Sequence, residues 1–201
     1  MLPGLRHGEL CALAWEDIGL TAKTITVTRN LTSQGLFTPP KTEAGTNRVV
    51  GLVDAAVAAL RDQLELTRMY PQSKFDFHTR EYGNTLSDEK TFVFNPNVNA
   101  TNGRSGSHYA VDSIGQTWDA AIRKAGLRHR KAYQSRHTYA CWSLSAGANP
   151  NFIASQMGHA DAQMVYQVYG SWMKENDEAQ LNILNSKLND FAPHMPHNKT
   201  A

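Results

Sequence analysis

The chain has 201 residues, 41% of them hydrophobic and 19% charged, enough to bury one main core. A net charge of +2 permits an anionic partner without demanding one. No stretch approaches the roughly 20 apolar residues that span a bilayer or has the flanks of a signal peptide, and two isolated cysteines, Cys11 and Cys141, make no disulfide framework, so a soluble intracellular chain is expected.

Leu10, Leu13, Ala14 and Ile18 recur near helical spacing, which predicts a short amphipathic helix from Gly8 running on into "WEDI". "KTITVTRN" alternates at period two, and "TNRVVGL" reads as its partner strand, giving the edge of a small antiparallel sheet. Between them lies the turn-rich "SQGLFTPPKTEAG", which carries Lys41. A helix opens at Asp54, with Val57, Leu60, Leu64 and Leu66 as most of an apolar stripe, and "YPQS" stops it. Residues 71–108 are polar and rich in glycine and asparagine around a short apolar "FVF"; they read as a long insertion with one strand-like piece.

From Val111 the pattern is helical. "SIGQTWDAAIRKAG", "QSRHTYACWSLSAG", "NPNFIASQMG" and "DAQMVYQVYG" are four segments each closed by glycine, the commonest helix stop. The last stretch places Leu181, Leu184, Leu188 and Phe191 on one helical face, a stripe that packs back on the chain or on a neighbour.

The polar residues gain meaning together. Arg6 stands in "GLRHGEL", with Glu9 three positions on; each could be half of a surface pair. Arg136 lies in a helix whose other face holds Tyr139, Ala140, Trp142 and Leu144, and Tyr133 sits one turn before it. The cations of "RKAGLRHRK", Arg123 to Lys131, suit a phosphate backbone as well as a solvated turn. His159 follows a helix-ending glycine, and Tyr166 and Tyr169 lie on the next helix. Alone, each is ordinary. An arginine, a hairpin lysine, a helical arginine, a Gly-His corner and a tyrosine ten residues later form an uncommon series.

That series resembles the tyrosine recombinases, the phage-integrase family of site-specific DNA recombinases, over nearly the whole chain. "GLRHGELCALAWEDI" is similar to the family's first-arginine motif, "TPPKTEAGTNRVVGL" to its lysine hairpin, and "YQSRHTYACWSLSAGANPNFIASQMGH" to its His-x-x-Arg box running to Gly-His, with "VYQVYGSW" supplying the nucleophile. The resemblance implies an α+β, mostly α-helical catalytic domain with a small antiparallel sheet, over residues 1–172, and a tail over 173–201. It implies catalytic Arg6, Lys41, Arg136, His159 and Tyr169, with Glu9 as a supporting group and Tyr166 as the other candidate nucleophile. One position departs: Tyr133 stands where the box most often begins with histidine, and a phenol, with a pKa of about 10, is no proton acceptor near neutrality. Tyr133 can still donate a hydrogen bond to phosphate or orient the nucleophile. His137 is expected to point elsewhere.

The implied activity is DNA strand cleavage and rejoining through a 3′-phosphotyrosine, with no cofactor and no metal; a recombinase-like module that binds DNA without cutting is the alternative. The implied partners are double-stranded DNA and further copies of the chain, up to a tetrameric synapse, in the cytoplasm of a bacterium or phage-infected host. A helical domain that clamps the other face of the DNA usually precedes such a catalytic domain, so a chain beginning just before Arg6 is expected to be truncated and to bind DNA weakly by itself. A metal hydrolase is disfavoured because the eight histidines show no spacing such as His-Glu-x-x-His.

Overall fold

The computed structural model describes residues 4–81, 83–100, 106–170, 178 and 181–186. Helix α1 (His7–Cys11) comes first, followed by strands β1 (Ile18–Gly19), β2 (Thr24–Val27), β3 (Asn30–Leu31), β4 (Phe37–Thr38) and β5 (Arg48–Gly51). Next come helix α2 (Asp54–Thr67), strands β6 (Ser73–His78) and β7 (Thr85–Lys90), and helices α3 (Val111–Lys124), α4 (Gln134–Ser145), α5 (Pro150–Met157) and α6 (Gln163–Tyr169). The architecture is α+β.

The period-two segments pair as expected: β2 lies antiparallel between β1 and β5, with Ile25 opposite Val50. Both side chains are fully buried beneath α2, with Val57, Leu60 and Trp15 in the same cluster. Burying residues of this size stabilises by about 1.5–3 kcal/mol each. Leu66, placed on the apolar stripe from sequence, is instead exposed, while Thr67 is buried and donates to the Val93 carbonyl.

Other expectations are corrected as well. The first helix does not run into "WEDI": it ends at Cys11, because Leu13 and Trp15 exchange backbone hydrogen bonds with Val93 and Thr91. That pairing also explains "FVF", which forms a single bridge through Phe92 to Ala14, with Phe92 and Val93 buried, rather than a strand. The region read as an insertion holds two six-residue antiparallel strands, β6 and β7, in a second, mixed sheet ordered β3-β4-β6-β7 with β4 parallel to β6. Lys41 consequently lies not at the tip of a simple hairpin but in the loop after β4, within a β2–β5 connection that contributes two strands to that second sheet.

Helices α4, α5 and α6 form a separate cluster around Ala140, Leu144, Ile153, Met157, Val165 and Tyr169. The sequence cues for α5 are plain: the Asn149 side chain accepts from the Asn151 amide, Pro150 opens the helix, and Gly158 ends it at φ +69°. Trp142, assigned to the apolar face of α4, is instead 70% exposed. Leu181 and Leu184 are helical and exposed, whereas Leu188 and Phe191 lie outside the described residues. Among the described residues no helix is long and apolar enough to cross a membrane.

Candidate active site

One cleft of about 700 Å³ is lined by Arg6, Lys41, Tyr133, Arg136, His159 and Tyr169. These residues come from three distant parts of the sequence, and Glu9 lies buried beneath them. Tyr166, the other tyrosine of α6, is 49% exposed and does not line the cleft, while Tyr169 is 4% exposed and does.

Glu9 organises the floor. Its carboxylate accepts from the Arg6 backbone amide at 2.8 Å and from Arg6 Nη1 at 2.9 Å, fixing the start of α1 and the arginine in one step. Both its oxygens also accept from Arg48, at 3.0 and 2.7 Å, in a two-pronged pair with side-chain exposures of 5% for Arg48 and 0% for Glu9. Burial would raise the Glu9 carboxyl, but the hydrogen bonds and charges of Arg48 and Arg6 outweigh it and hold the pKa below its ordinary value. Arg48 is a residue that sequence reasoning missed. It looked like an ordinary strand position, yet it ties β5 to α1 through Glu9 and to α5 through the Gln156 carbonyl at 3.1 Å.

Two glycines make this packing possible. A Cβ on Gly8 would sit 2.2 Å from the Leu31 carbonyl oxygen, so α1 can approach β3 only without a side chain there. A Cβ on Gly158 would come within 2.9 Å of the Gly45 Cα and 3.1 Å of the Arg48 guanidinium. Its carbonyl then accepts from Thr42 Oγ1 at 2.9 Å, anchoring the lysine loop beside α5, with Arg6 Nη2 at 3.5 Å. Lys41 itself is exposed.

Arg136 is 3% exposed, and its partners are neutral: Nη1 donates to the Gly4 carbonyl, and Nη2 to the Met157 carbonyl at 2.6 Å and to His159 Nε2 at 3.1 Å. Burial first, then the positive Arg6, lower its pKa to about 10, which leaves it charged at neutral pH. Arg6, Arg48 and Arg136 thus share Glu9 at the cleft floor, and Asp161 also lines the cleft. The surplus positive charge, with Lys41 at the rim, makes a site for an anion carrying several oxygens.

Because a guanidinium only donates, His159 Nε2 must accept, and the neutral ring carries its proton on Nδ1. That Nδ1 is buried without a hydrogen-bond partner among the described residues. Burial, then Arg136 and Arg6, push the His159 pKa from 6.5 down to about 4. Since the folded value is depressed, protonation favours the unfolded chain: His159's contribution to stability is intact above pH 6.5 and is lost as pH falls towards 4. Denaturation midpoints measured across that range should fall with pH, and His159→Gln should flatten the fall; an equally steep fall in the variant would assign it to other groups.

His137 does not point away from the site, as helix geometry from Arg136 suggested. It lines the same cleft, and its Nδ1 lies 2.6 Å from Tyr169 Oη. Tyr133 is 44% exposed and edge-on to His137 at 5.3 Å between ring centres. Among the described residues, no three His, Cys, Asp or Glu side chains are grouped to hold a metal ion.

The phage integrase family model matches residues 2–175. The chain is 61% identical over 196 residues to the defective protein IntQ of Escherichia coli (strain K12), covering 98% of this chain and 49% of that protein. It is 50% identical over 185 residues to the prophage integrase IntR of the same organism, covering 92% of this chain and 44% of that protein. The chain therefore spans about half the length of the curated relatives it matches. Among solved structures, the Tn1549 transposon integrase in complex with transposon right end DNA superposes with a TM-score of 0.64 at 21% identity, covering 91% of this chain and 55% of that one. XerA recombinase gives 0.60 at 21% identity, covering 96% and 54%. The motif order, the fold and the family match agree, and the chain belongs to the phage integrase family.

Proposed function

We propose that the chain carries the catalytic centre of a site-specific DNA recombinase that cleaves and rejoins strands through a 3′-phosphotyrosine. The observation that carries the reading is the convergence of Arg6, Arg136, Lys41, His159 and Tyr169 on one positively charged cleft. Arg6 and Arg136 bind the non-bridging oxygens of a scissile phosphate and stabilise its pentavalent transition state. His159 adds a hydrogen bond beside Arg136, and Glu9 and Tyr133 support the arrangement. Tyr169 Oη attacks phosphorus, and Lys41 gives a proton to the departing 5′-oxygen. The bond energy is kept in the phosphotyrosine, so the 5′-hydroxyl of another strand reverses the step without an external energy source or a cofactor. The partner is double-stranded DNA, and strand exchange takes place between copies of the protein, four in a full synapse. Residues 1–172 are the catalytic part and 173–201 a tail that packs on this chain or a neighbour.

A second reading, a DNA-binding module that does not cut, is favoured by Tyr133 at the position where the family most often has histidine. A relative at 61% identity is described as defective. One assay separates the two. The chain is incubated with a library of duplexes nicked next to a randomised segment, so that cleavage releases a short strand and traps the adduct. Wild type is expected to yield a denaturant-resistant protein–DNA adduct, Tyr169→Phe none, and Tyr166→Phe a normal yield. An adduct surviving in Tyr169→Phe moves the nucleophile to Tyr166, and duplex binding by wild type without any adduct selects the second reading.

A further inference from the structure

None of the groups assigned above removes the proton from Tyr169. Arg6, Arg136 and Lys41 are cations, and the acceptor nitrogen of His159 is taken up by Arg136. Tyr133 is a phenol, like the group that must be deprotonated. Yet Tyr169 has to lose its proton: burial and the neighbouring Cys141 push its pKa up, against the pull of Arg136, so it enters the reaction as a neutral phenol. A neutral phenol is a poor nucleophile towards a phosphodiester.

His137 occupies the place where an acceptor is required. It lies on α4, one position after Arg136, and its Nδ1 is 2.6 Å from Tyr169 Oη on α6. The rings meet at 57° with centres 5.7 Å apart, so the contact is a hydrogen bond at the ring edge rather than a stack. The imidazole is held from the other side: Tyr133 packs edge-on against it, and His7 of α1 packs edge-on against Tyr133 at 5.8 Å. Four rings, His7, Tyr133, His137 and Tyr169, therefore run from α1 to α6 and leave His137 Nδ1 facing the phenol.

We propose that His137 is a further catalytic residue of this centre, the base that accepts the phenolic proton of Tyr169. The inference rests on the recombinase reading of the cleft. In cleavage the Tyr169 Oη–P bond forms and the P–O5′ bond breaks; the phenolic proton passes to His137 Nδ1, and the Lys41 ammonium gives its proton to O5′. Rejoining reverses both transfers: the Lys41 amine takes the proton of the incoming 5′-hydroxyl, and the imidazolium returns its proton to the phenolate as it leaves. Tyr133 then has a role that needs no proton: it buttresses the imidazole from the position where the family most often has its histidine.

Other ionisable groups face His137. Tyr169 comes from α6, Tyr133 and Cys141 from α4 and its start, and Arg128 and Arg130 from the preceding loop. Across the cleft stand Arg6, Lys41 and Asp161. A pH profile must therefore be compared between variants. The test uses the 201-residue chain, a nicked duplex recovered from the randomised library, and single-turnover adduct formation. His137→Asn keeps a polar acceptor near the Nδ1 position but takes no proton. It is expected to slow cleavage by about 10²–10⁴-fold and to change the shape of the pH profile. Sulfur in place of the bridging 5′-oxygen, a leaving atom that needs no proton, should rescue Lys41→Ala but not His137→Asn.

Cleavage by His137→Asn at the wild-type rate and with the wild-type profile overturns the inference alone, as does its rescue by the bridging sulfur. Failure of wild type to form any adduct overturns the recombinase reading instead. A readout free of DNA covers a variant that folds poorly. Nitrogen NMR of the wild-type imidazoles should show His137 Nδ1 as an unprotonated acceptor whose resonance moves in Tyr169→Phe. A protonated Nδ1 indifferent to that change overturns the proposal.

Discussion

Replacing Arg48 by methionine is expected to destabilise the fold by about 3–5 kcal/mol, near the lower end because Arg6 stays with the stranded carboxylate. The reason is asymmetry. Arg48 and Glu9 are both out of water, and removing the cation leaves Glu9 buried with only part of its compensation. The change also frees the Gln156 and Gly45 carbonyls that Arg48 now satisfies. Urea unfolding should show the loss, and Glu9→Gln combined with Arg48→Met should recover part of it, since the neutral amide needs no counter-charge. If the single and double variants were equally unstable, the pair would not be the source of the effect. Loss of adduct formation should accompany the loss of stability, because Glu9 also sets the Arg6 guanidinium.

Arg136→Lys is expected to have a large effect on cleavage itself. The guanidinium reaches the Gly4 and Met157 carbonyls and His159 at once, all of them neutral partners, and feels Glu9 only through space. A lysine ammonium is a single point with three donors and cannot hold those carbonyls while presenting a fork to a phosphate. Losing one preorganised donor at a developing oxyanion typically costs about 10²–10³ in rate, and here the tie from α4 to Gly4, ahead of α1, and to the end of α5 is loosened as well. Single-turnover adduct formation should therefore fall by about 10³, while equilibrium binding of duplex DNA, to which many phosphate contacts generally contribute, should fall far less. A proportional loss of binding and cleavage would instead make Arg136 a ground-state contact.

Much of the site was legible because its signals are local. Gly158 and His159 follow directly from the end of α5, and the Asn149-Pro150 start of that helix is written in three residues. The alternation in β2 and β5 likewise fixes which faces are buried. What escaped depends on partners remote in sequence. Arg48 reads as an ordinary strand residue until Glu9, 39 positions away, is folded against it. His137 should point away from Arg136 by the turn of a helix, yet α6 packs on that side and brings Tyr169 to it. The first helix stops early for the same reason, its continuation being drawn into pairing with Val93 and Thr91. Strand β6 did leave a period-two trace, Phe75 and Phe77, but its polar setting obscured it.

Gly158 has a consequence in time. Its carbonyl and its missing side chain are where α5, the lysine loop and Arg6 close on one another. A ribosome adding roughly 5–20 residues per second makes Arg6 many seconds before it makes Gly158, and Tyr169 later still. During that interval the early arginine and its glutamate have no cleft to belong to. A nascent chain that ends before Gly158 therefore holds Arg6 and Glu9 without the carbonyl and the close approach that complete the cleft.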